Sequence, residues 1–328
     1  MAKYKWGILA PGNIAHRFVN GLKQAPDAEL CAVGSRDISR AKKFADEHGF
    51  KKAYGSYEEL VSDPEIDIVY VAPPHPQHAE NAMLCMRHKK AVLCEKPLAV
   101  NEADAKKMVD CAKENGVFFM EGMWTRFFPA VVKTRELIAE GAIGKVTHVN
   151  ADFCFRSNPD PESRLFGLDS AGGSLLDVGV YNISFCSMIY GEQPKEIKSL
   201  MEIGGTGVDY KTPVLLDYGG GRSAFVMSAI RLTTTHEAMI YGEEGHIKLP
   251  SYWHPDTLIL TNKSGEQTLS FPYESTGFQF EAIEVMSCLD KGLKESPVMP
   301  HRESLGIMNT MDRIRAAHNL RYPFEQSL

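Results

Sequence analysis

Up to about residue 122, short apolar runs alternate with segments whose apolar residues recur at helical spacing. Strands are expected near Lys5–Leu9, Leu30–Val33, Asp67–Val71, Ala91–Cys94 and Val117–Met120. Between them Ile14, Phe18 and Leu22 recur at i, i+4, i+8, and Ile38, Ala41 and Phe44 at i, i+3, i+6. A stripe at the 3.6-residue period is the buried face of a helix, and alternation of such stripes with short apolar strands predicts a parallel sheet covered by helices on both faces. After a helix expected over Pro129–Glu140 the pattern changes. Val149, Ala151, Phe153 and Phe155 alternate with Asn150, Asp152 and Cys154, as in a strand with one buried face. Glycines at 219–221, Glu244-Gly245 and Ser264-Gly265 then punctuate further strands, the pattern of an antiparallel meander, which one helix over Ser174–Tyr190 interrupts. In the tail, Leu305, Met308, Met311 and Ile314 give an amphipathic helix over Glu303–Leu320 that could pack back on either domain.

Length agrees with this division. At 328 residues the chain exceeds the roughly 250–300 that one hydrophobic core serves, so two domains are expected, residues 1–122 and 123–328. The 44% hydrophobic content is that of a globular protein. A net charge of −6, with basic residues scattered as doublets such as Lys42-Lys43 and Lys106-Lys107, lacks the basic stripe that nucleic acid requires. Residues 178–191, the longest stretch without Asp, Glu, Lys or Arg, are too few to span a ~30 Å hydrocarbon core, so no membrane span is expected. The N-terminus runs into a short strand instead of the long apolar stretch of a secretory signal, which points to the cytoplasm. Seven cysteines without a C-x-x-C pair, mostly in apolar segments, read as buried thiols.

The first strand leads through Ala10-Pro11-Gly12-Asn13-Ile14-Ala15 into a helix, the setting in which a glycine turn brings a pyrophosphate against backbone N–H groups and a helix N-terminus. Ala10 stands where the first glycine of such a turn is usual, and an ordinary Pro-Gly turn is the alternative reading. At the end of the second strand, where an acid would grip the ribose hydroxyls of NAD, the chain reads Ser35-Arg36-Asp37 with Arg40 one turn on. A hydroxyl and two guanidiniums suit the 2′-phosphate of NADP. Two other readings stay open: Arg36 and Arg40 as a solvated surface pair, and Asp37 serving NAD if the strand ends two residues later.

Lys96 follows Cys94-Glu95 and should emerge at the carboxyl edge of the parallel sheet, the edge to which the cofactor turn also points. In the second domain Ala171-Gly172-Gly173 precedes Ser174, expected as an N-cap, and a helix carrying Asp177 and Tyr181 at i, i+4 on one face. A tyrosine in so apolar a helix is often a packed residue, yet a phenol beside an ammonium makes an acid/base pair because the cation lowers its pKa. His75 and His78 have a spacing compatible with a metal, but no clustered acid or cysteine accompanies them, so no metal is expected and a loop beside the cofactor is the better account.

At these residues a resemblance is plain. The run Trp6 to Ala15, the Glu95-Lys96-Pro97 step and the Gly173 to Tyr181 helix resemble the glucose-fructose oxidoreductase, inositol dehydrogenase and MocA family across essentially the whole chain. Ser35-Arg36-Asp37, the run Met123 to Pro129 and tyrosine at 181 are most similar to its dihydrodiol and D-xylose dehydrogenase branch; many other members carry histidine at that position. The resemblance implies a Rossmann domain followed by an α/β domain with an open, mainly antiparallel sheet, with the cofactor between them. It implies hydride transfer between NADP, or NAD, and a hydroxyl or carbonyl carbon of a sugar, polyol or dihydrodiol. It casts Lys96 and Tyr181 as the catalytic pair and Asp177 as a substrate ligand, with Ala72, Pro73, His75, His78, Glu95 and Trp124 near the cofactor. Pro73 stands where threonine is common, which weakens any inference of cofactor preference. Trp124, Arg126, Phe155, Trp253 and Phe278 are candidates for the substrate wall, each with a core or surface role as the equal alternative. A homodimer or higher homo-oligomer is expected, because a meander sheet leaves one face to be covered. A cofactor-sensing regulator that has lost catalysis is the competing function, and retention of Lys96, Asp177 and Tyr181 favours the enzyme.

Overall fold

Six parallel strands form the first sheet: β1 (Tyr4–Leu9), β2 (Ala28–Gly34), β3 (Lys52–Tyr54), β4 (Ile68–Val71), β5 (Ala91–Glu95) and β6 (Phe119–Gly122), in the order β3-β2-β1-β4-β5-β6. All residues of β4 and β5 are buried, as they must be in a sheet covered on both faces. The helices α1 (Asn13–Leu22), α2 (Ile38–His48), α3 (Tyr57–Ser62), α4 (His78–Arg87) and α5 (Glu102–Asn115) connect the strands. Strand β3 escapes sequence analysis because its three residues are all half-buried and too few to show a period. Leu9 pairs with both Gly34 and Val71, so β1, β2 and β4 end together. Strand order reverses about β1, which opens a crevice at the carboxyl edge of such a sheet.

The computed structural model describes residues 4–325 and divides into two compact units. The first runs to Trp124 and also takes Glu274–Leu305; the second holds Thr125–Tyr273 and Gly306–Leu328.

Helix α6 (Pro129–Ala139) opens the second unit, followed by β7 (Val146–Cys154), a π-turn over Leu175–Gly179 and α7 (Val180–Tyr190). Then come β8 (Glu196–Ser199), β9 (Glu202–Ile203), β10 (Asp209–Gly219), β11 (Arg222–Ala229), β12 (Ala238–Gly242), β13 (Gly245–Leu249), β14 (Thr257–Asn262) and β15 (Gly265–Ser270). They make a nine-stranded sheet in the order β15-β14-β13-β12-β7-β11-β10-β8, with β9 on β10. Among the described residues β7 and β11 pair in parallel and the other pairs are antiparallel, the open, mainly antiparallel sheet expected. In β7, Val149, Ala151 and Phe153 are buried as the alternation predicts; the strand stops at Cys154, and Phe155 is half-exposed beyond it.

Every residue of α7 from Val180 to Ser187 is buried, so it is a core helix without a polar face. Asn182 pays its hydrogen-bonding needs there by donating to the Met227 carbonyl at 3.0 Å and accepting from the Tyr252 hydroxyl at 2.5 Å. The chain then returns to the first unit in α8 (Gln279–Asp290), and α9 (His301–Ala317) belongs to the second unit from Gly306 onward. All seven cysteines are buried thiols, and no helix of the described residues is long and apolar enough to cross a membrane.

Candidate active site

Between β1 and α1 the chain turns through Ala10, whose φ of 68° lies in the left-handed region. That conformation costs an alanine about 1–2 kcal/mol, which is why glycine is usual there; Ala10 accepts the same turn with strain. Gly12 then enters α1 with φ −90°, no side-chain cap and no acid in the first turn. A Cβ at Gly12 would meet nothing within 4 Å. A helix N-terminus with orphan N–H groups, no internal anion and open space before it fits a pyrophosphate.

Strand β2 ends at Gly34, and Asp37 caps α2, accepting from the Ser39 amide at 2.8 Å and its hydroxyl at 2.7 Å. These bonds hold the Asp37 carboxyl below its usual range. The condition under which Asp37 would meet a ribose, a later strand end, is therefore not realised. Buried Ser35 accepts from the Asp37 amide at 3.2 Å, whereas Arg36 and Arg40 are exposed. Tyr57 lies beside both guanidiniums: burial raises its pKa and the two cations oppose the shift. A cavity of about 720 Å³ opens there, lined by Arg36, Ser56, Tyr57, Gln77, Asn81 and Arg87 among others.

Half-buried Lys96 leaves the carboxyl end of β5, at a step held from beneath. Glu95 accepts from the Lys96 amide at 3.1 Å with one oxygen and from the Tyr70 hydroxyl with the other. Burial, reinforced by the charge of Glu95, raises the pKa of both Tyr70 and Glu281, so Tyr70 remains a phenol donor. Tyr70 stacks on Phe18 of α1 with ring centroids 3.7 Å apart, coupling the lysine step to the phosphate turn.

His78 departs from its expected role. Its ring is buried, with Nδ1 2.9 Å from the Pro97 carbonyl and Nε2 3.0 Å from the Pro73 carbonyl, and burial lowers its pKa to about 4. Both nitrogens face backbone carbonyls of the loops after β4 and β5, to one of which the neutral ring donates its single N–H, so neither faces a cofactor. His75, Ala72 and Pro73 are buried in the loop after β4. Trp124 stacks on Phe278 at 4.2 Å, and the Arg17 guanidinium lies 5.8 Å and 5.9 Å from the two ring centres.

In the second unit Asp177 lies within the π-turn and Tyr181 in the first turn of α7. A π-turn bonds i to i+5, so the i, i+4 register assumed from sequence does not carry through it. Ser174 stands at the N-cap position as expected, but its side chain does not cap the helix. Its hydroxyl donates to Asp209 Oδ2 at 2.6 Å, and that same oxygen accepts from the Leu175 amide and the Thr212 hydroxyl, both at 2.8 Å. Asp209, at the start of β10, closes the helix instead. Asp177 forms an ion pair with Arg164 Nη1 at 2.9 Å. Tyr181 is buried against Phe153, ring centroids 5.3 Å apart, and Phe153 in turn stacks on Trp253 at 4.8 Å.

Two wall candidates need correction. Phe155 lies beyond β7, and Phe153 takes the place beside Tyr181 and Trp253. Arg126 is buried, donating from Nε to the Ser184 hydroxyl at 3.0 Å and from Nη2 to the Ser184 carbonyl at 2.9 Å, so it braces α7 from within. The first unit thus gathers Ala10, Gly12, Arg36, the 72–78 loop and Lys96 at one sheet edge, and the second clusters Tyr181 with Trp253. Arg164, Asp209, Tyr57 and Tyr70 went unnoticed in sequence, where each is a lone polar residue whose partner lies many positions away. Only Tyr70, near the carboxyl end of an expected strand, carries a signal that the sequence could show.

The model of an oxidoreductase family with an NAD-binding Rossmann fold matches residues 4–123, and that of the GFO/IDH/MocA C-terminal domain matches 131–248. Trans-1,2-dihydrobenzene-1,2-diol dehydrogenase of Xenopus tropicalis is 38% identical over 331 residues, 97% of this chain and 99% of that protein. Among solved structures, levoglucosan dehydrogenase in complex with NADH and levoglucosan has a TM-score of 0.88 at 20% identity, covering 98% of this chain and 99% of that one. A 3-ketoreductase from Actinomadura kijaniata in complex with NADP and TDP-benzene has a TM-score of 0.83 at 23% identity, covering 95% and 97%.

Proposed function

The chain belongs to the GFO/IDH/MocA oxidoreductase family and is an NAD(P)-dependent oxidoreductase acting on CH–OH groups, and on that premise we propose that it is an NADP-preferring dehydrogenase of trans-dihydrodiols or sugars. The observation that carries the chemistry is the exit of Lys96 at the sheet edge where α1 presents its uncapped N-terminus. Similarity to a dihydrodiol dehydrogenase over nearly the full length supports the substrate class.

Gly12, Asn13 and Ile14 at the head of α1, with Ala10 shaping the turn, hold the pyrophosphate. Ser35, Arg36 and Arg40 hold the 2′-phosphate, and Tyr57 packs beside the guanidiniums. Ala72, Pro73, His75, Glu95 and Trp124 border the ring end. When bound, the dinucleotide supplies or takes up the hydride at the substrate carbon. Tyr181 exchanges the proton at the substrate oxygen, and the Lys96 ammonium stabilises negative charge developing there. Asp177, steadied by Arg164, accepts from a neighbouring substrate hydroxyl.

The test is NADP reduction over a panel of trans-dihydrodiols, aldoses and polyols. Tyr181→Phe should lower kcat by about 10²–10⁴ with dinucleotide affinity unchanged. A variant at full rate would remove the proton role; a panel without turnover would remove the substrate class.

Preference for NADP is supported by β2 ending at Gly34 and by occupation of Asp37 as a cap. Arg36→Ala with Arg40→Ala should weaken NADP roughly 10–100-fold and leave NAD unchanged, since only NADP carries the 2′-phosphate. Equal losses for both cofactors would refute the assignment.

A homodimer through the outer face of the second sheet completes the reading. Leu215 and Phe225 lie directly opposite on β10 and β11 at 45% and 46% exposure, beside the Pro213–Met227 pair. Sedimentation should give a dimer at micromolar concentration and a monomer for Leu215→Glu/Phe225→Glu. A monomeric native chain would exclude it.

A further inference from the structure

His16 and His48 are 32 positions apart, yet α1 and α2 bring His16 Nδ1 to 2.8 Å from His48 Nε2. The Glu47 Oε2 oxygen lies 3.9 Å from the same His16 nitrogen, and the three ligand atoms fall within 4.8 Å of one another. The rings are held in place: each packs on Phe44 with centroids 4.5 Å apart. Both imidazoles are half-buried, and the side chains of His16 and Glu47 are 41% and 44% exposed, so the cluster is anchored from below and open to water above.

We propose that His16, Glu47 and His48 form a binding site for a divalent cation of the zinc class, with water completing four-coordination. Two imidazoles and a carboxylate are the donor set that suits Zn²⁺, Ni²⁺ or Cu²⁺, whereas Mg²⁺ and Ca²⁺ require a shell of oxygens. Two neutral rings hydrogen-bond through one N–H, and on binding the donor ring carries that proton on its other nitrogen instead, so that both facing nitrogens present lone pairs to the cation. At Zn–N distances of about 2.0–2.1 Å, a tetrahedral site sets two nitrogens about 3.3 Å apart. The facing nitrogens need part by only about half an ångström, the rings tilt so that both lone pairs converge on the cation, and Glu47 Oε2 closes on it from 3.9 Å beside His16, movements within the reach of partly exposed side chains.

Lys43 Nζ lies 3.9 Å from the other Glu47 oxygen, leaving Oε2 to the site. Unlike His75 and His78, residues 16 and 48 are distant in sequence and become a pair only through the packing of α1 and α2.

Isothermal titration of the untagged, chelator-stripped full chain with Zn²⁺ in excess Mg²⁺ should show one site per chain. His16→Gln and His48→Gln, which lie outside the residues assigned to catalysis, should each weaken it about 100-fold or more, beyond the roughly 10–100-fold that loss of an outer-shell partner typically costs. In the native chain, long-range ¹H–¹⁵N spectra should show the ring nitrogens of His16 and His48 shifting first among the 11 histidines. This measurement needs no variant to fold. Absence of zinc binding, retained affinity in both variants, or first shifts at other histidines would each overturn the site.

Discussion

Gly12 and Gly173 both precede a helix that carries chemistry, and the two junctions use the same local sequence device in opposite ways. At Gly12 the helix N-terminus is left without a cap, without an acid and with open space before it, a position open to an external anion. At Gly173 the following helix is closed by the protein's own anion, Asp209, whose Oδ2 accepts from Ser174, Leu175 and Thr212. A Cβ on Gly173 would lie 2.2 Å from Asp209 Oδ1, so the glycine there admits a carboxylate of the same chain. A glycine before a helix states that an anion approaches closely; whether that anion is ligand or protein depends on a residue far along the sequence.

Alanine at each position should separate these uses. Gly173→Ala combines the contact with Asp209 and a φ of +113° that no alanine adopts without strain. Backbone strain of about 1–3 kcal/mol and loss of a cap at about 0.5–2 kcal/mol predict destabilisation by roughly 3 kcal/mol or more. Denaturant unfolding measures it, and a cost under about 1 kcal/mol would mean that the junction yields. Gly12→Ala has φ −90° and no neighbour within 4 Å, so stability should stay within about 1 kcal/mol while NADP affinity falls about tenfold or more. If both variants lost stability alike, the contrast between the junctions would fail.

The same contrast explains what was legible in the sequence. All strands of the first sheet but β3, the glycine turn after β1 and the exit of Lys96 follow from runs of neighbouring residues, because βα units place function at the ends of contiguous strands. The fold of the second unit was legible for a related reason: alternation in β7 and glycine turns between strands are local signals. Its site was less so. The π-turn that alters the Asp177–Tyr181 register leaves no mark in a run of small and apolar residues, and the cap comes from position 209. Arg126 looked available because arginine usually faces solvent, but Ser184 gives it a buried partner. His78 looked like chemistry because histidine titrates near neutrality, but two backbone carbonyls claim its nitrogens.

Because the second junction is closed by a titratable group, pH should reach it, whereas the first junction has no such group. Burial raises the Asp209 pKa from 3.8 to about 6, against the pull of its three donors. The folded chain therefore holds this proton more tightly than the unfolded chain. Between pH 3.8 and about 6 the folded state retains a proton that the unfolded state has released, so stability from this group is fully present below pH 3.8 and is lost as pH rises through 6. At about 1.4 kcal/mol per unit, the loss is roughly 3 kcal/mol. Asp209→Asn keeps an oxygen for Ser174, Leu175 and Thr212 and carries no proton to lose. The stability difference between variant and native chain should therefore move in favour of asparagine by roughly 2 kcal/mol from pH 4 to pH 7, with the other titrating groups cancelling in the subtraction. Denaturant unfolding of both proteins across that range gives the difference directly. A difference that stays flat would show that Asp209 is already ionised at pH 4, its three donors outweighing burial, and that the protein's own anion sits at this junction as comfortably as a phosphate would at the other.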